Sequence, residues 1–310
     1  MKTLIAITGP TGVGKTDVAI ELAETLHTEI ISADSRQVYA DIPIISAAPT
    51  PMERARVPHH FVGILPPEAY FSAALFEQQA MEVLTRLFRT ADTVVLCGGS
   101  MLYVDSLCHG IDQLPTISPR IREKVAGMAA GEGLTGMLAM LEKLDPDYHA
   151  IVDKANLKRI MHAIEICLES GTTYTSLRTG RRLVRPFKLL KYCLTAPRPI
   201  LFERINTRVE KMLDQGMIEE ARRLYPLRHL NSLNTVGCKE MFEYISGNWD
   251  LPFAIARMQK NTRVYAKKQL TWHARDPEIR TLDITAFPSP AHTAGSIVRD
   301  LHALQQSSEP

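Results

Sequence analysis

Gly9-Pro10-Thr11-Gly12-Val13-Gly14-Lys15-Thr16 fits the pattern GxxxxGK[ST] at every fixed position. Its surroundings decide how it is read. Before it, Thr3 to Thr8 is a short apolar run, the pattern of a buried strand. After it, Val18, Ala19, Leu22, Ala23 and Leu26 recur three and four apart, which predicts a helix over Lys15 to His27. Glycines in such a strand-to-helix turn let backbone N–H groups face inward around anionic oxygens. The helix N-terminus adds partial positive charge. Lys15 supplies a point charge to a terminal phosphate, and the Thr16 hydroxyl can ligate Mg²⁺. The stretch predicts a site for a di- or triphosphate, ATP included, without saying what the phosphate is attached to.

Working outward, Glu29 to Ala33 reads as a second strand, Ala69 to Arg89 as a helix, and Thr93 to Cys97 as a third strand closed by Gly98-Gly99. Strands alternating with helices predict an α/β fold: a P-loop parallel-sheet core with helices on both faces. After Pro115 the pattern becomes helical and stays so to about residue 180. Leu189 to Thr195 then returns to strand character. The expected organisation is a core over 1–118, a helical insertion domain over 119–186 and the rest of the core over 187–310. Helices are expected near 200–213, 217–224 and 252–273, and a last strand near Ile279 to Ile284. The tail from Leu304 is expected to fray.

The 310 residues are 45% hydrophobic and 23% charged, which excludes a disordered chain, a collagen and a small disulfide scaffold. Five widely spaced cysteines without a CxxC pair read as reduced thiols. The N-terminus lacks the pattern of a signal peptide, and no apolar run approaches the roughly 18 residues of a membrane span. A cytoplasmic protein without a membrane partner is expected. The net charge of +2 hides an asymmetry: residues 1–118 sum to −6 and residues 119–310 to +8. Residues 178–191 and 257–275 each hold six Lys/Arg and no acid. On a helix, Arg257, Lys260, Arg263, Lys267 and Lys268 fall within an arc of roughly 140° at 100° per residue. That predicts a footprint on a nucleic-acid backbone.

Asp34 directly follows the second strand, and Ser100 follows the third. Ligands of such sheets bind beyond the carboxyl ends of strands. Asp34 is therefore a candidate general base, or equally a turn aspartate, and Ser100 alone reads as a cap. The third strand ends Val94-Val95-Leu96-Cys97 without the carboxylate that holds Mg²⁺ in P-loop hydrolases, which weakens a motor or switch ATPase reading. On these residues alone, a metabolite or nucleotide kinase and an RNA-binding protein with a relict phosphate site stay open.

Further stretches carry a resemblance. They are Asp34-Ser35-x-Gln37-x-Tyr39, Val57-Pro58-His59-His60, Phe71-Ser72-Ala73-Ala74-x-Phe76, Gly98-Gly99-Ser100-Met101-Leu102-Tyr103, Arg159 with Ala163-x-Glu165, Val236-Gly237, and Thr262-Arg263 with Ala266-Lys267-Lys268-Gln269-x-Thr271-Trp272. Together with Gly9–Thr16 they resemble the tRNA dimethylallyltransferases, also called tRNA isopentenyltransferases, over most of the chain. The resemblance implies transfer of a dimethylallyl group from its pyrophosphate to the exocyclic N6 amine of the adenosine 3′ to a tRNA anticodon, releasing pyrophosphate. It implies Mg²⁺ at Thr16, a proton acceptor at Asp34, a pyrophosphate-binding hydroxyl at Ser100 and a phosphate-binding arginine at Arg222. It implies tRNA contacts at Asp34, Ser35, Arg36, Gln37, Lys158, Arg159, His162, Lys239, Arg263, Lys267 and Lys268. A monomer that grips the anticodon stem-loop is expected. The chain departs from the family at Asp41–Pro49, where a lysine is lost and Ser46 replaces threonine. It departs also at Cys238, His162 and Lys268.

Overall fold

The computed structural model describes residues 2–306. In chain order its elements begin β1 (Thr3–Thr8), α1 (Lys15–Thr25), β2 (Ile30–Ser32), α2 (Pro51–Arg56), β3 (His59–His60), α3 (Ala73–Leu87), β4 (Thr93–Cys97) and α4 (Met101–His109). A helical stretch follows: α5 (Pro119–Leu144), α6 (Pro146–Ile151), α7 (Leu157–Ser170) and α8 (Tyr174–Leu177). The chain then forms β5 (Lys188–Thr195), α9 (Arg198–Asp214), α10 (Met217–Leu224), α11 (Cys238–Ile245), α12 (Leu251–His273), β6 (Ile279–Asp283) and α13 (Pro290–Gln306).

The six strands form one sheet in the order β3-β2-β4-β1-β5-β6, with every pair parallel. Both faces are covered, so β1 is apolar at nearly every position rather than alternating. Leu4 and Ala6 enter one buried cluster with α3, α10 and α11; Ile5 and Ile7 enter the other with α1, α9 and α13. The expected α/β fold is the observed one.

The chain divides into two compact units: Met1–Cys108 with Val184–Pro310, and His109–Leu183. The second unit starts ten residues before the expected insertion and ends three before it. It is all helical, with α5 packed on α7 around Ile121, Val125, Met137, Leu141, Ile160 and Ile164. α5 bends at Gly133, whose φ of 61° interrupts the helix.

Three elements carry no clear sequence signal. α2 and β3 are short, and β3 pairs over only Ile30↔His59 and Ile31↔His60. α13 buries Ala294, Ile297 and Leu301 against α1. Its first turn, Pro290-Ala291-His292-Thr293, gives little periodic pattern. Leu304 to Gln306, expected to fray, form the last turn of α13; residues 307–310 of that expectation lie outside the described residues.

Candidate active site

The carboxyl ends of β1, β2 and β4 deliver three loops to one crevice. The β1 loop turns at Gly9, whose φ is 136°. A Cβ there would lie 2.4 Å from the Leu194 carbonyl oxygen, so only glycine fits beside β5. Lys15, at the start of α1, donates to the carbonyls of Gly9 (3.1 Å) and Pro10 (3.0 Å). Burial pushes its ammonium below the ordinary lysine range, and the nearby Arg208 charge adds to this; Asp34 opposes it. A cavity of about 590 Å³ is lined here by Gly12, Gly14, Lys15, Thr16, Gly98 and Gly99, with Arg204, Arg208 and Lys211 of α9 opposite.

A second cavity, about 320 Å³, shares Thr11, Asp34, Ser46, Arg208 and Tyr265 with the first. Its other walls include Ile45, Val209, Met212, Val236 and Met258, together with Ser35, Arg36, Ser100 and Lys239. The first, cationic chamber gathers Lys15, Arg204, Arg208 and Lys211 beside the glycine loops, with Asp17, Glu53 and Glu203 also on its walls; the second, apolar-patched chamber sets Ile45, Ile205, Val209, Met212, Val236 and Met258 among more numerous polar residues. Asp34 borders both.

Asp34 is at once a turn aspartate and a site residue. Its Oδ1 accepts the N–H groups of Arg36 (2.8 Å) and Gln37 (3.3 Å), which fixes the turn after β2. Ser100 is buried; its Oγ accepts the Ser35 N–H at 2.8 Å and donates to Ser35 Oγ at 3.2 Å. It lines the apolar chamber rather than the cationic one. Tyr265, with its phenol pushed up to about 12 mainly by burial, stays protonated and donates to the Gly99 carbonyl at 3.4 Å. Cys97 lines the cationic chamber, but burial lifts its thiol to about 12, which keeps it an inert thiol. Ser46 Oγ is buried without a hydrogen-bond partner where the chambers meet.

Several expected RNA ligands have structural partners. Arg36 Nη1 donates to the carbonyls of Asn231 (3.1 Å) and Ser232 (2.8 Å). Gln37 Nε2 donates to the Ala47 carbonyl at 3.0 Å, and its Oε1 accepts from Ser32 Oγ at 3.2 Å. Arg263 Nη1 donates to Asn206 Oδ1 at 2.6 Å. Lys239, Lys267 and Lys268 are exposed. In the helical unit, Lys158, Arg159 and His162 occupy the solvent side of α7, with His162 edge-on to Tyr174 at 6.0 Å.

Arg222 is a correction. It is exposed on α10 and lines none of the cavities described. The buried charged member of that stretch is Glu220, fully enclosed, which accepts the N–H groups of Ile44 (3.0 Å) and Ile45 (2.8 Å) and so holds the loop that supplies Ile45 to the apolar patch. The arginine brought to both chambers is Arg208. Sequence reasoning misses it because Arg198 to Asp214 reads as an ordinary charged helix; only the fold turns one of its faces to the P-loop. The acid-free run at 178–191 is corrected in part. Arg185 pairs with Glu77, and Lys191 is buried against Asp276, so these two charges hold the core together, while Arg178, Arg181 and Arg182 are exposed.

Among the described residues, no group of three or more His, Cys, Asp or Glu side chains is placed to hold a metal ion. Thr16 offers the cradle a hydroxyl oxygen, and Asp17 and Asp34 line the same chamber. That set fits Mg²⁺, which binds by few protein oxygens plus substrate phosphates and water.

Residues 37–276 match the family described as IPP transferase. The chain belongs to the IPP transferase family. It is 52% identical over 280 residues to tRNA dimethylallyltransferase 1 of Bacteroides thetaiotaomicron, covering 90% of this chain and 91% of that one. Among solved structures, the full-length tRNA isopentenylpyrophosphate transferase of Bacillus halodurans superposes with a TM-score of 0.73 at 33% identity, over the whole of both chains. A eukaryotic dimethylallyltransferase, captured acting on tRNA, superposes with a TM-score of 0.77 at 26% identity, over 91% of this chain and 74% of that one. This IPP transferase is an enzyme, and none of its described helices is long and apolar enough to cross a membrane.

Proposed function

We propose that the chain transfers a dimethylallyl group from dimethylallyl pyrophosphate to the N6 amine of the adenosine 3′ to the anticodon in tRNA, releasing pyrophosphate. The observation that carries this reading is the meeting, at the Asp34 carboxylate, of a glycine-walled chamber that holds Lys15 and Arg208 and a second chamber that carries an apolar patch. The pyrophosphate belongs among Lys15, Thr16 and Arg208. The five-carbon chain and the adenine, turned out of its stack, belong among Ile45, Met212, Val236 and Met258. The amine nitrogen attacks C1 of the dimethylallyl group while the C1–O bond breaks. The electron pair of that bond leaves with the pyrophosphate. The proton lost by the nitrogen passes to Asp34.

Lys15 and Arg208 stabilise the charge that grows on the leaving group, in a site where desolvation strengthens their pull. Mg²⁺ held by the Thr16 hydroxyl supplies further charge neutralisation when bound. Ser100 locks the backbone at Ser35, next to the base. On the core, the exposed Lys239, Lys267 and Lys268 are the contacts to tRNA; on the helical unit, taken by itself, they are Lys158, Arg159 and His162. We place this activity in the cytoplasm, in a monomer.

Incubation with dimethylallyl pyrophosphate and unmodified tRNA, followed by nucleoside mass spectrometry, tests the reading. Dimethylallyladenosine next to the anticodon is the expected product. Its absence with competent tRNA, or ATP-dependent phosphorylation of a small acceptor instead, overturns the reading.

A further inference from the structure

Gln269 is the one residue of the Ala266–Trp272 stretch whose side chain reaches the phosphate loops, and the chemistry above gives it no role. It lies on α12 and is 1% exposed. Its Oε1 accepts the N–H of Thr11 at 2.9 Å, inside the P-loop. Its Nε2 donates to the carbonyl of Gly99 at 2.8 Å, in the loop after β4. Both polar atoms of one buried amide are therefore used to tie two different phosphate-facing loops together. The fit is close: a Cβ on Gly99 would come within 2.5 Å of Gln269 Nε2 and 3.6 Å of Lys15 Nζ.

The helix around it has two faces. Tyr265 donates to the same Gly99 carbonyl, and Trp272 Nε1 donates to Asp105 at 2.8 Å, so residues 265, 269 and 272 bolt α12 to the loop and to α4. At 100° per residue, Lys260 and Lys267 fall on the opposite side, and both are exposed. One rigid helix thus carries cations outward and the brace inward.

We propose that Gln269 is a positioning residue for the diphosphate, setting the spacing between the Thr11 and Gly99 segments of the cradle. It touches no reacting atom. A neutral amide suits the task because it donates and accepts at once and adds no charge beside Lys15. Methionine matches its length but leaves the Thr11 N–H and the Gly99 carbonyl without these partners. Glutamate keeps the acceptor, loses the donor and brings negative charge toward the phosphates.

The inference rests on the reading of this chamber as a pyrophosphate site, and its test separates the two. Inorganic pyrophosphate with Mg²⁺ is titrated calorimetrically into the wild-type chain, Gln269→Met and Gln269→Glu. Binding of a synthetic anticodon stem-loop is measured in parallel without pyrophosphate. The wild-type chain should bind pyrophosphate; if it does not, the chamber assignment itself fails. Given wild-type binding, Gln269→Met should raise the pyrophosphate Kd about tenfold and Gln269→Glu by more, with the stem-loop Kd unchanged. In turnover, the KM for dimethylallyl pyrophosphate should rise while that for tRNA holds. A merely structural glutamine would lower the melting temperature and the active fraction but leave the pyrophosphate Kd of the folded protein alone. Pyrophosphate Kd values within twofold of wild type in a folded variant overturn the proposal; if Gln269→Met does not fold, Gln269→Glu carries the measurement.

Discussion

The diphosphate end of the crevice brings glycine-loop backbone and the cations Lys15, Arg204, Arg208 and Lys211 together, whereas the acceptor end carries an apolar patch assembled from distant parts of the chain. At the first, Thr11, Gly12, Gly14 to Thr16 and Gly98-Gly99 line the cavity with loop residues and one lysine. At the second, Ile45, Val209, Val236 and Met258 come from a loop, α9, a turn and α12. The first demands close backbone approach, which few residue types tolerate. The second demands shape, which many apolar combinations satisfy. Substitutions at the two ends should therefore fail differently: in pyrophosphate affinity at one, and in chemistry or acceptor fit at the other.

The largest effect should arise where the ends meet. Asp34→Asn keeps an oxygen to accept the Arg36 and Gln37 N–H groups, so the turn survives, but the proton acceptor is lost. Single-turnover rates should fall by about 10²–10⁴. Affinities for pyrophosphate and for the stem-loop should stay within about threefold of wild type. An unchanged rate removes Asp34 from proton transfer. A large loss of pyrophosphate affinity would mean that the carboxylate belongs to the cationic end instead.

Next in size is the contrast between two arginines. Arg208→Met should weaken pyrophosphate binding by about 10–100-fold, the range for losing a hydrogen bond to a charged group. Arg222→Met should change it by less than about twofold, because the side chain is exposed and lines neither chamber. Titration calorimetry on both variants decides between them, and equal losses would overturn the present geometry.

That pair of arginines also shows how far residues alone disclose the site. The P-loop is contiguous, so its strand, turn and helix predict its placement together, and Asp34 follows because a strand end locates it. Arg208 has no local signature. It is one cation among several on α9, and only the packing of that helix beside β1 and α12 selects it. Arg185 and Lys191 of the 178–191 run leave the RNA footprint for a related reason. Absence of acid within a run says nothing about acid across the fold, and Arg185 meets Glu77 more than a hundred residues away. α13 escapes notice because its buried face is narrow, at Ala294, Ile297 and Leu301, and faces a helix rather than the sheet.

Within the two basic runs, exposed cations such as Lys267 and Lys268 differ from Arg185, which is paired inside the fold, and charge removal distinguishes them. Lys267→Gln with Lys268→Gln should weaken stem-loop binding by about tenfold and flatten its dependence on salt by about one unit of slope for each RNA phosphate left without its lysine. Arg185→Met should leave that slope unchanged and lower the melting temperature, because it strands Glu77, itself buried. Salt titrations followed by fluorescence anisotropy provide the check. A flattened slope in Arg185→Met would put Arg185 at the RNA surface.

The smallest effect on turnover at neutral pH belongs behind the diphosphate end, at His273. This α12 histidine is buried and its Nε2 has no partner. Burial pushes its imidazole down to about 4, with Lys15 and Lys191 acting in the same direction and Asp276 against it. The unfolded chain, with an ordinary imidazole near 6.5, takes up a proton that the folded chain refuses between about pH 6.5 and 4. Stability must therefore fall as pH drops through that window, by about 1 kcal/mol per pH unit from this group. Carboxylates that are paired in the fold titrate in part of the same range, so the informative quantity is the difference between wild type and His273→Gln. Denaturant unfolding at pH 6.5 and 4.5 should show a smaller loss in the variant, while its pyrophosphate affinity at pH 7.5 stays near wild type. An equal loss in both proteins would mean that His273 takes up its proton without resistance, and that the region behind the cradle is wetter than its packing implies.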